Sequence, residues 1–270
     1  MKIALYQGPG TPLDVAANIE TLGRQAERAS AEAARLLIAP EMILSGYNIG
    51  PAAIAERAEA RDGASAQAIA ELARRHDIAI LYGYPERAHG NIYNSVQLID
   101  RDGSRLANYR KTHLFGDIDK DAFSAGSDET VLADLEGWRI GFLICYDVEF
   151  PENMRRLALA GADFVAVPTA LMPPYDFVAS HMVPTRAVEN QLFVAYANRC
   201  GNENGLDYIG LSCVAGPDGK DLARAGRGEA LIFAVLDREL LDHWRQLNTY
   251  LQDRNPDLYG PLTESMGKSK

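Results

Sequence analysis

The sequence predicts an α/β sandwich made of strand–helix–strand units, some of them joined by hairpins. Two observations support this fold class. Apolar residues at helical spacing alternate with short buried β-rich runs in both halves of the chain. Turn sequences between neighbouring strands also indicate antiparallel pairs, which a fully parallel sheet does not contain. We expect residues 1–270 to form a single domain, because layered α/β folds of this size commonly do so.

The first half of the chain contains two helix–strand cycles and a hairpin. Helices are predicted over residues 19–33 and 64–75, each followed by a buried strand, over 36–39 and 78–82. The first of these strands ends at Pro40. The segments 92–100 and 106–109 read as the two strands of a hairpin, and Gly103 in the turn suits a positive φ.

The second half repeats the pattern. A strand over 138–144 runs into Cys145, and Pro151 opens a helix that Gly161 ends. Strands over 164–167 and 192–197 flank a helix over 180–190, and residues 216–219 form a second hairpin turn. The segment after about Asn248 is rich in Asn, Pro and Gly and predicts an irregular C-terminal arm.

Composition and motifs exclude several functional classes. A net charge of −10 argues against nucleic acid or an anionic membrane surface as the main partner. No apolar run approaches a membrane span, and the N-terminus reads as a strand rather than a signal peptide. The three cysteines lack C-x-x-C spacing, and the five histidines lack metal-ligand spacing. Nucleotide-loop and serine-elbow motifs are also missing. We therefore expect a cytoplasmic protein with no metal.

Three reactive side chains follow predicted strands. Glu41 comes after the strand over 36–39, Lys111 after the strand ending at Tyr109, and Cys145 after the strand over 138–144. Ligands of open α/β sheets gather at the carboxyl ends of strands. Singly, such residues are usually a core cysteine, a solvated carboxylate and a surface lysine. Their recurrence at three strand ends predicts a common site.

Motifs surround each of these residues: APEM and SGY at 39–42 and 45–47, YRKTHLF at 109–115, and ICYD and FPE at 144–147 and 150–152. Together they resemble the nitrilase (carbon–nitrogen hydrolase) superfamily over essentially the whole chain. The order Glu41, Lys111, Cys145 matches that family's catalytic triad. The resemblance implies a four-layer α-β-β-α sandwich. It also implies a homodimer or higher homo-oligomer in which the C-terminal arm crosses to a second subunit.

The triad suits amide hydrolysis. A free cysteine titrates near pH ~8.5, so Cys145 needs a base, and a buried glutamate with a raised pKa can both take and return a proton. We expect Cys145 as nucleophile, Glu41 as proton carrier and Lys111 as the cation at the oxyanion, with the Tyr146 N–H as second donor. No cofactor is needed. The alternative is a Cys–His mechanism through His113 or His181.

Members of the superfamily commonly have a second glutamate shortly after the lysine motif. Counting back from Ala125 and Gly126, Asp119 is the best substitute in this chain. Its shorter side chain leaves two interpretations: Asp119 orients Lys111, or it only solvates the loop.

The stretches at 1–8, 46–50, 82–87, 93–100 and 174–177 resemble 5-aminopentanamidases and related stereoselective amidases. That likeness implies conversion of 5-aminopentanamide and water to 5-aminopentanoate and ammonia. We expect the loop over 170–176 to wall the pocket, with Ala170, Tyr175 and Tyr47 as lining residues. Asp176 either meets a distal ammonium of the substrate or caps the next helix.

Other functions share the same triad. N-carbamoyl compounds, nitriles and other ω-amides are alternative substrates, and Arg199 is a candidate for binding a substrate carboxylate. A non-catalytic binding protein is a further alternative, but the intact Glu41, Lys111 and Cys145 argue against it.

Overall fold

The computed structural model describes residues 1–127 and 130–264. Strands and helices alternate along much of this length. The strands are β1 (Lys2–Gln7), β2 (Leu36–Ile38), β3 (Ala79–Ala88), β4 (Asn91–Ile99), β5 (Arg105–Arg110), β6 (Leu132–Leu135), β7 (Trp138–Phe142), β8 (Phe164–Thr169), β9 (Phe193–Asn198), β10 (Cys200–Glu203), β11 (Leu206–Ile209), β12 (Cys213–Ala215), β13 (Asp221–Arg224) and β14 (Ala230–Val235). The α-helices are α1 (Val15–Ala31), α2 (Pro51–Arg57), α3 (Ala64–His76), α4 (Gly116–Lys120), α5 (Pro151–Leu159), α6 (Val183–Asn190) and α7 (Arg238–Leu247).

The strands form two six-stranded mixed sheets. The first has the order β14-β1-β2-β3-β4-β5, and the second β13-β12-β9-β8-β7-β6. Strands β1, β2 and β3 are parallel to one another, as are β7, β8 and β9, while hairpins add antiparallel neighbours. Strands β10 and β11 form a separate two-stranded hairpin. This arrangement confirms the predicted sandwich of mixed sheets.

The sheets pack face to face, and helices cover their outer faces. On β1, Ile3 and Leu5 pack in a core shared with β7 and β8, whereas Ala4 and Tyr6 pack in a second core with α1 and α3. This alternation follows from the two-residue period of a strand. Helices α5 and α6 contribute Met154, Leu157, Val183 and Ala187 to the core of the second sheet. The layers therefore run α-β-β-α, as the resemblance implied.

Helix boundaries follow local chemistry. The Asp14 side chain accepts a hydrogen bond from the Ala17 N–H at the start of α1. Pro151 occupies the first turn of α5, where a missing N–H costs nothing. Asp77 ends α3 in the left-handed conformation. Gly103 has a φ of 84°, as its place in the hairpin turn predicted.

Several regions differ from the sequence-based prediction. The helix expected over 180–190 is a π-helical turn at Val178–Met182 followed by α6, whose first turn contains Pro184. Proline cannot donate an N–H to the preceding turn, which favours the change of hydrogen-bonding pattern there. The helix α7 and the β10–β11 hairpin were not predicted. Beyond Asn248, up to residue 264, the chain forms two short 3-10 turns.

In residues 1–127 and 130–264, no helix has both the length and the apolar character that a membrane crossing requires.

Candidate active site

Glu41 and Lys111 meet as a fully buried ion pair between the ends of β2 and β5. Lys111 Nζ lies 2.8 Å from Glu41 Oε1. Burial raises the pKa of Glu41, the charge of Lys111 opposes that rise, and Asp119 adds to it. The pKa of Glu41 therefore lies above that of an ordinary carboxylate. A raised pKa suits a group that must both accept and return a proton.

Asp119 binds the other side of Lys111, with 2.7 Å between Oδ2 and Nζ. The Tyr47 hydroxyl donates to Oδ1 at 2.8 Å, and the Phe115 N–H donates to Oδ2 at 2.8 Å. Burial lowers the pKa of Lys111, but the negative charges of Glu41 and Asp119 outweigh it and hold that pKa well above its usual value. Lys111 is therefore a permanent cation, and Asp119 lies against it rather than in solvent.

The two oxygens of Glu41 have different environments. Oε1 accepts from Lys111 and from the Asn94 amide, whose Nδ2 lies 2.6 Å away. Oε2 is buried and has no hydrogen-bond partner among the described residues. Buried carboxylate oxygens are normally satisfied. The charge of Glu41 acts on the Cys145 thiol, so this unpaired oxygen is the one available to take the thiol proton.

Cys145 lies in the turn between β7 and a 3-10 helix over Cys145–Glu149, with a φ of 46°. A non-glycine residue with positive φ is strained, and such strain is typical of functional turns. Burial raises the pKa of the Cys145 thiol well above its usual value; Glu41 adds to the rise, while Lys111 and a hydrogen bond from the Ala170 backbone lower it. The resting thiol is therefore protonated. The Tyr146 N–H is among the first amides of the 3-10 helix, which have no partner within the helix.

Asp147 ties the lysine loop to the cysteine turn. Its Oδ1 accepts from Thr112 Oγ1 at 2.9 Å and from the His113 N–H at 2.8 Å. Its Oδ2 accepts from the Tyr109 hydroxyl at 2.9 Å and from the Ile144 N–H at 3.1 Å. One buried carboxylate thus fixes the distance between the segments that carry Lys111 and Cys145.

A narrow cavity opens onto Cys145, which is 8% exposed. Its enclosed volume is only about 10 Å³, so a substrate must enter through its open mouth. Tyr47, Tyr146 and Ala170 lie in its wall. The lining residues are Tyr47, Phe115, Cys145, Tyr146, Glu149, Ala170, Leu171 and Met172.

Two predicted pocket residues lie elsewhere. Tyr175 packs edge-on against Phe115, with 5.7 Å between ring centroids, and so supports the wall from behind. Asp176 forms an ion pair with the exposed Arg227 and is not among the residues that line the cavity. It does not cap the next helix either, since the turn over Val178–Met182 has no side-chain cap. We assign Asp176 no part in the site.

The residues considered for a substrate carboxylate or a Cys–His mechanism have partners outside those roles. Arg199 is fully buried, with its Nη2 2.8 Å from Glu203 Oε1, and it is not in the cavity wall. His113 stacks on Phe150 at 4.1 Å between centroids and contacts Asp147, which matches an orienting role for the loop. His181 is exposed and contacts the Ser180 hydroxyl.

Four contributors were not singled out from the sequence: Asn94, Asp147, Glu149 and Glu203. Asp147 and Glu149 lie within six residues of Cys145, and their acidic character next to a candidate nucleophile was a usable signal. Asn94 and Glu203 lie far from the triad in sequence, and no pattern points to them. The described residues hold no group of three or more His, Cys, Asp or Glu side chains arranged to bind a metal ion.

Residues 2–246 match the carbon–nitrogen hydrolase family. The chain belongs to this family. Membership confirms the resemblance to the nitrilase superfamily, and the chain is a carbon–nitrogen hydrolase of the amidase type with Cys145 as its active-site cysteine.

Individual family members extend the comparison. A hydrolase from the pqqF 5′ region of Pseudomonas protegens is 58% identical over 265 residues, which are 98% of this chain and 92% of the relative. An (R)-stereoselective amidase from a Pseudomonas species is 40% identical over 266 residues, 98% of this chain and 95% of the relative.

Solved structures of the Nesterenkonia sp. AN1 amidase share the fold. One superimposes with a TM-score of 0.88 at 36% identity, covering 97% of this chain and 99% of that chain. An E41Q variant of that amidase has acrylamide added at the active-site cysteine, and a C145A variant is in complex with butyramide.

Proposed function

We propose that the protein hydrolyses a small aliphatic amide to the carboxylic acid and ammonia through a thioester on Cys145. The observation that carries this proposal is the unpaired Oε2 of Glu41, in a buried Glu41–Lys111 pair whose charges act on the Cys145 thiol. The small ligands of the Nesterenkonia amidase support a small amide as substrate.

In the first step, Glu41 Oε2 accepts the thiol proton as Sγ of Cys145 bonds to the amide carbon. The carbonyl π electrons move to oxygen, which becomes an oxyanion. Binding the amide next to Lys111 makes this transfer possible although the resting thiol has a high pKa.

Lys111 and the Tyr146 N–H stabilise the oxyanion. The ammonium is fixed in place by Glu41 and Asp119 before the substrate arrives, so little reorganisation accompanies the charge development. Loss of one such donor raises the barrier by about 3–4 kcal/mol in other hydrolases.

Collapse of the intermediate breaks the C–N bond. Glu41 returns its proton to the departing nitrogen, which leaves as ammonia, and the acyl group remains on Sγ. Glu41 then takes a proton from a water molecule that attacks the thioester. The C–S bond breaks, and the same proton restores the Cys145 thiol. Each proton taken by Glu41 is thus returned.

For the substrate we propose 5-aminopentanamide, which gives 5-aminopentanoate. The motif likeness to 5-aminopentanamidases and the 40% identity to a stereoselective amidase support this choice. N-carbamoyl amino acids, other ω-amides and nitriles are the competing substrates.

Ammonia release from a substrate panel tests the proposal. The panel contains 5-aminopentanamide, butyramide, an N-carbamoyl amino acid and a nitrile, with Cys145→Ala as control. Preference for 5-aminopentanamide that disappears in Cys145→Ala is the expected result. Preference for another compound of the panel supports the triad mechanism but contradicts 5-aminopentanamide as the substrate. Activity that survives in Cys145→Ala contradicts the thioester mechanism.

We also propose that the enzyme works as a homodimer in the reducing cytoplasm. Its three cysteines are free, and the C-terminal segment exposes Leu247, Tyr250, Leu258 and Leu262, which a second subunit can cover. Light scattering coupled to size exclusion measures the oligomer directly, and a monomer at micromolar concentration contradicts this part.

A further inference from the structure

Glu149 ends the 3-10 helix that begins at the nucleophile, and its side chain lines the same cavity as Cys145. Within residues 1–127 and 130–264, the Glu149 carboxylate forms no hydrogen bond and no ion pair within 4.0 Å. It is half-buried. A carboxylate held at a cavity wall without a partner is unusual, because partly desolvated charges are normally paired.

Glu149 is also the only charged side chain among the described residues that line the cavity. Its neighbours in the wall are aromatic, apolar or the cysteine itself. They are Tyr47, Phe115, Cys145, Tyr146, Ala170, Leu171 and Met172. A single formal charge in an otherwise neutral wall decides which sign of charge a bound molecule can bring in.

The two cations that act on Glu149 are held by other groups. Lys111 binds Glu41 and Asp119. Arg186 donates to the backbone carbonyls of Val148 and Glu149 and pairs with Glu189. Neither forms an ion pair with the Glu149 carboxylate. The charge of Glu149 is therefore not neutralised by a paired cation.

We propose that Glu149 selects substrates by charge: its carboxylate binds a cationic group on the acyl chain of the amide and repels substrates that carry a carboxylate. This inference rests on the proposed amidase function and specifies its substrate class. An ω-ammonium amide is the preferred type, and N-carbamoyl amino acids, which carry a carboxylate, are disfavoured.

The electrostatics of Glu149 agree with this role. Burial raises its pKa, and Lys111 and Arg186 oppose that rise only in part. A carboxylate that has lost hydration and gained no partner is stabilised by an arriving ammonium. A neutral methyl group of the same size gives no such gain.

Three amides with four methylenes between the amide and the distal group test the proposal. They are 5-aminopentanamide with an ammonium, hexanamide with a methyl, and adipic acid monoamide with a carboxylate. We expect the wild-type kcat/KM to fall in that order. In Glu149→Gln, the ratio of kcat/KM for 5-aminopentanamide to that for hexanamide should fall by about tenfold or more. Glu149→Lys should favour the carboxylate-bearing amide over the ammonium-bearing one.

Glu152→Gln is the matched control, since Glu152 is exposed on α5 and lies outside the cavity wall. This variant should keep the wild-type ratio of kcat/KM for 5-aminopentanamide to that for hexanamide. An unchanged ratio in Glu149→Gln, or a wild-type enzyme that prefers hexanamide, overturns the charge selection and leaves the amidase function intact.

If no amide is hydrolysed, the proposed function fails, and a binding experiment still decides the role of Glu149. Calorimetry on Cys145→Ala should show tighter binding of 5-aminopentanamide than of hexanamide, and loss of that difference when Glu149→Gln is added. Equal binding of the two amides overturns the inference.

Discussion

The Lys111 ammonium and the Asp119 carboxylate form a fully buried ion pair, with 2.7 Å between Nζ and Oδ2. The same ammonium also binds Glu41. Two carboxylates thus share one cation in a site from which water is largely excluded. The charge of Asp119 consequently acts on the proton affinity of Glu41, although no hydrogen bond joins the two carboxylates.

Asp119→Asn should shift the acidic limb of the pH–rate profile to lower pH. Glu41 must be ionised to accept the thiol proton, so kcat/KM rises as pH increases through the pKa of Glu41. The charge of Asp119 raises that pKa, and removing the charge lowers it. The profile of kcat/KM against pH measures the shift. Asp117→Asn, an exposed residue on the same helix, should leave the limb in place. A shift of the acidic limb to higher pH in Asp119→Asn contradicts the effect of the Asp119 charge on the pKa of Glu41.

Iodoacetamide should modify Cys145 before the other two cysteines. The reagent is a small amide, and Cys145 lines the cavity. Burial raises the pKa values of all three thiols, so the thiolate population does not favour Cys145; its advantage is that it lines the cavity, whereas Cys200 and Cys213 do not. Peptide mass spectrometry over a time course identifies the site. Earlier modification of Cys200 or Cys213 would exclude this interpretation.

Asp147→Ala should lower the free energy of unfolding by about 3 kcal/mol, because four donors lose a buried acceptor. Urea denaturation measures the loss. Asp147→Asn keeps one acceptor oxygen and should cost less. Asp257→Ala, on an exposed part of the C-terminal segment, should be nearly neutral. A loss below about 1 kcal/mol in Asp147→Ala would show that the clamp between the two catalytic segments is weak.

Glu203 and Arg199 should respond unequally to substitution. Glu203→Gln leaves the Arg199 guanidinium buried without an anion, and we expect a loss of about 3–5 kcal/mol in the free energy of unfolding. Arg199→Met should cost less, because Glu203 keeps donors from Tyr47, Asn48 and Tyr208. Chemical denaturation of both single variants and the double variant gives the coupling energy. Equal losses in the single variants contradict this asymmetry.

The meeting of Glu41, Lys111 and Cys145 could be anticipated from the sequence because each directly follows a strand. Strand ends at one edge of a sandwich converge, and the position depends only on a local pattern. Asp119 was accessible only through the family resemblance, which implies an acidic residue after the lysine motif, counted back from Ala125 and Gly126. The outer helices and most strands follow equally local rules of periodicity.

Contacts between distant segments could not be predicted in this way. Asp147 accepts from Thr112, 35 residues earlier, and such a bond exists only once the two sheets have packed. Asp176 is a second example. Its loop position suggested a substrate contact or a helix cap, and its partner in the structure is Arg227, 51 residues later in the chain. The short strands β10 and β11 lack a clear alternating pattern, and their hairpin is joined to the loop at Tyr47 by Glu203.

The bonds between the β10–β11 hairpin and the Tyr47 loop also set the order in which the protein can become reactive. Glu203 and Tyr47 are 156 residues apart, and Tyr47 supports Asp119, which supports Lys111. Contacts of such sequence separation form after local structure. On the ribosome, the thiol at position 145 emerges well before residue 203 does. A nascent or truncated chain therefore carries the nucleophile without its organised surroundings, and the hydrolase matures only when the hairpin docks.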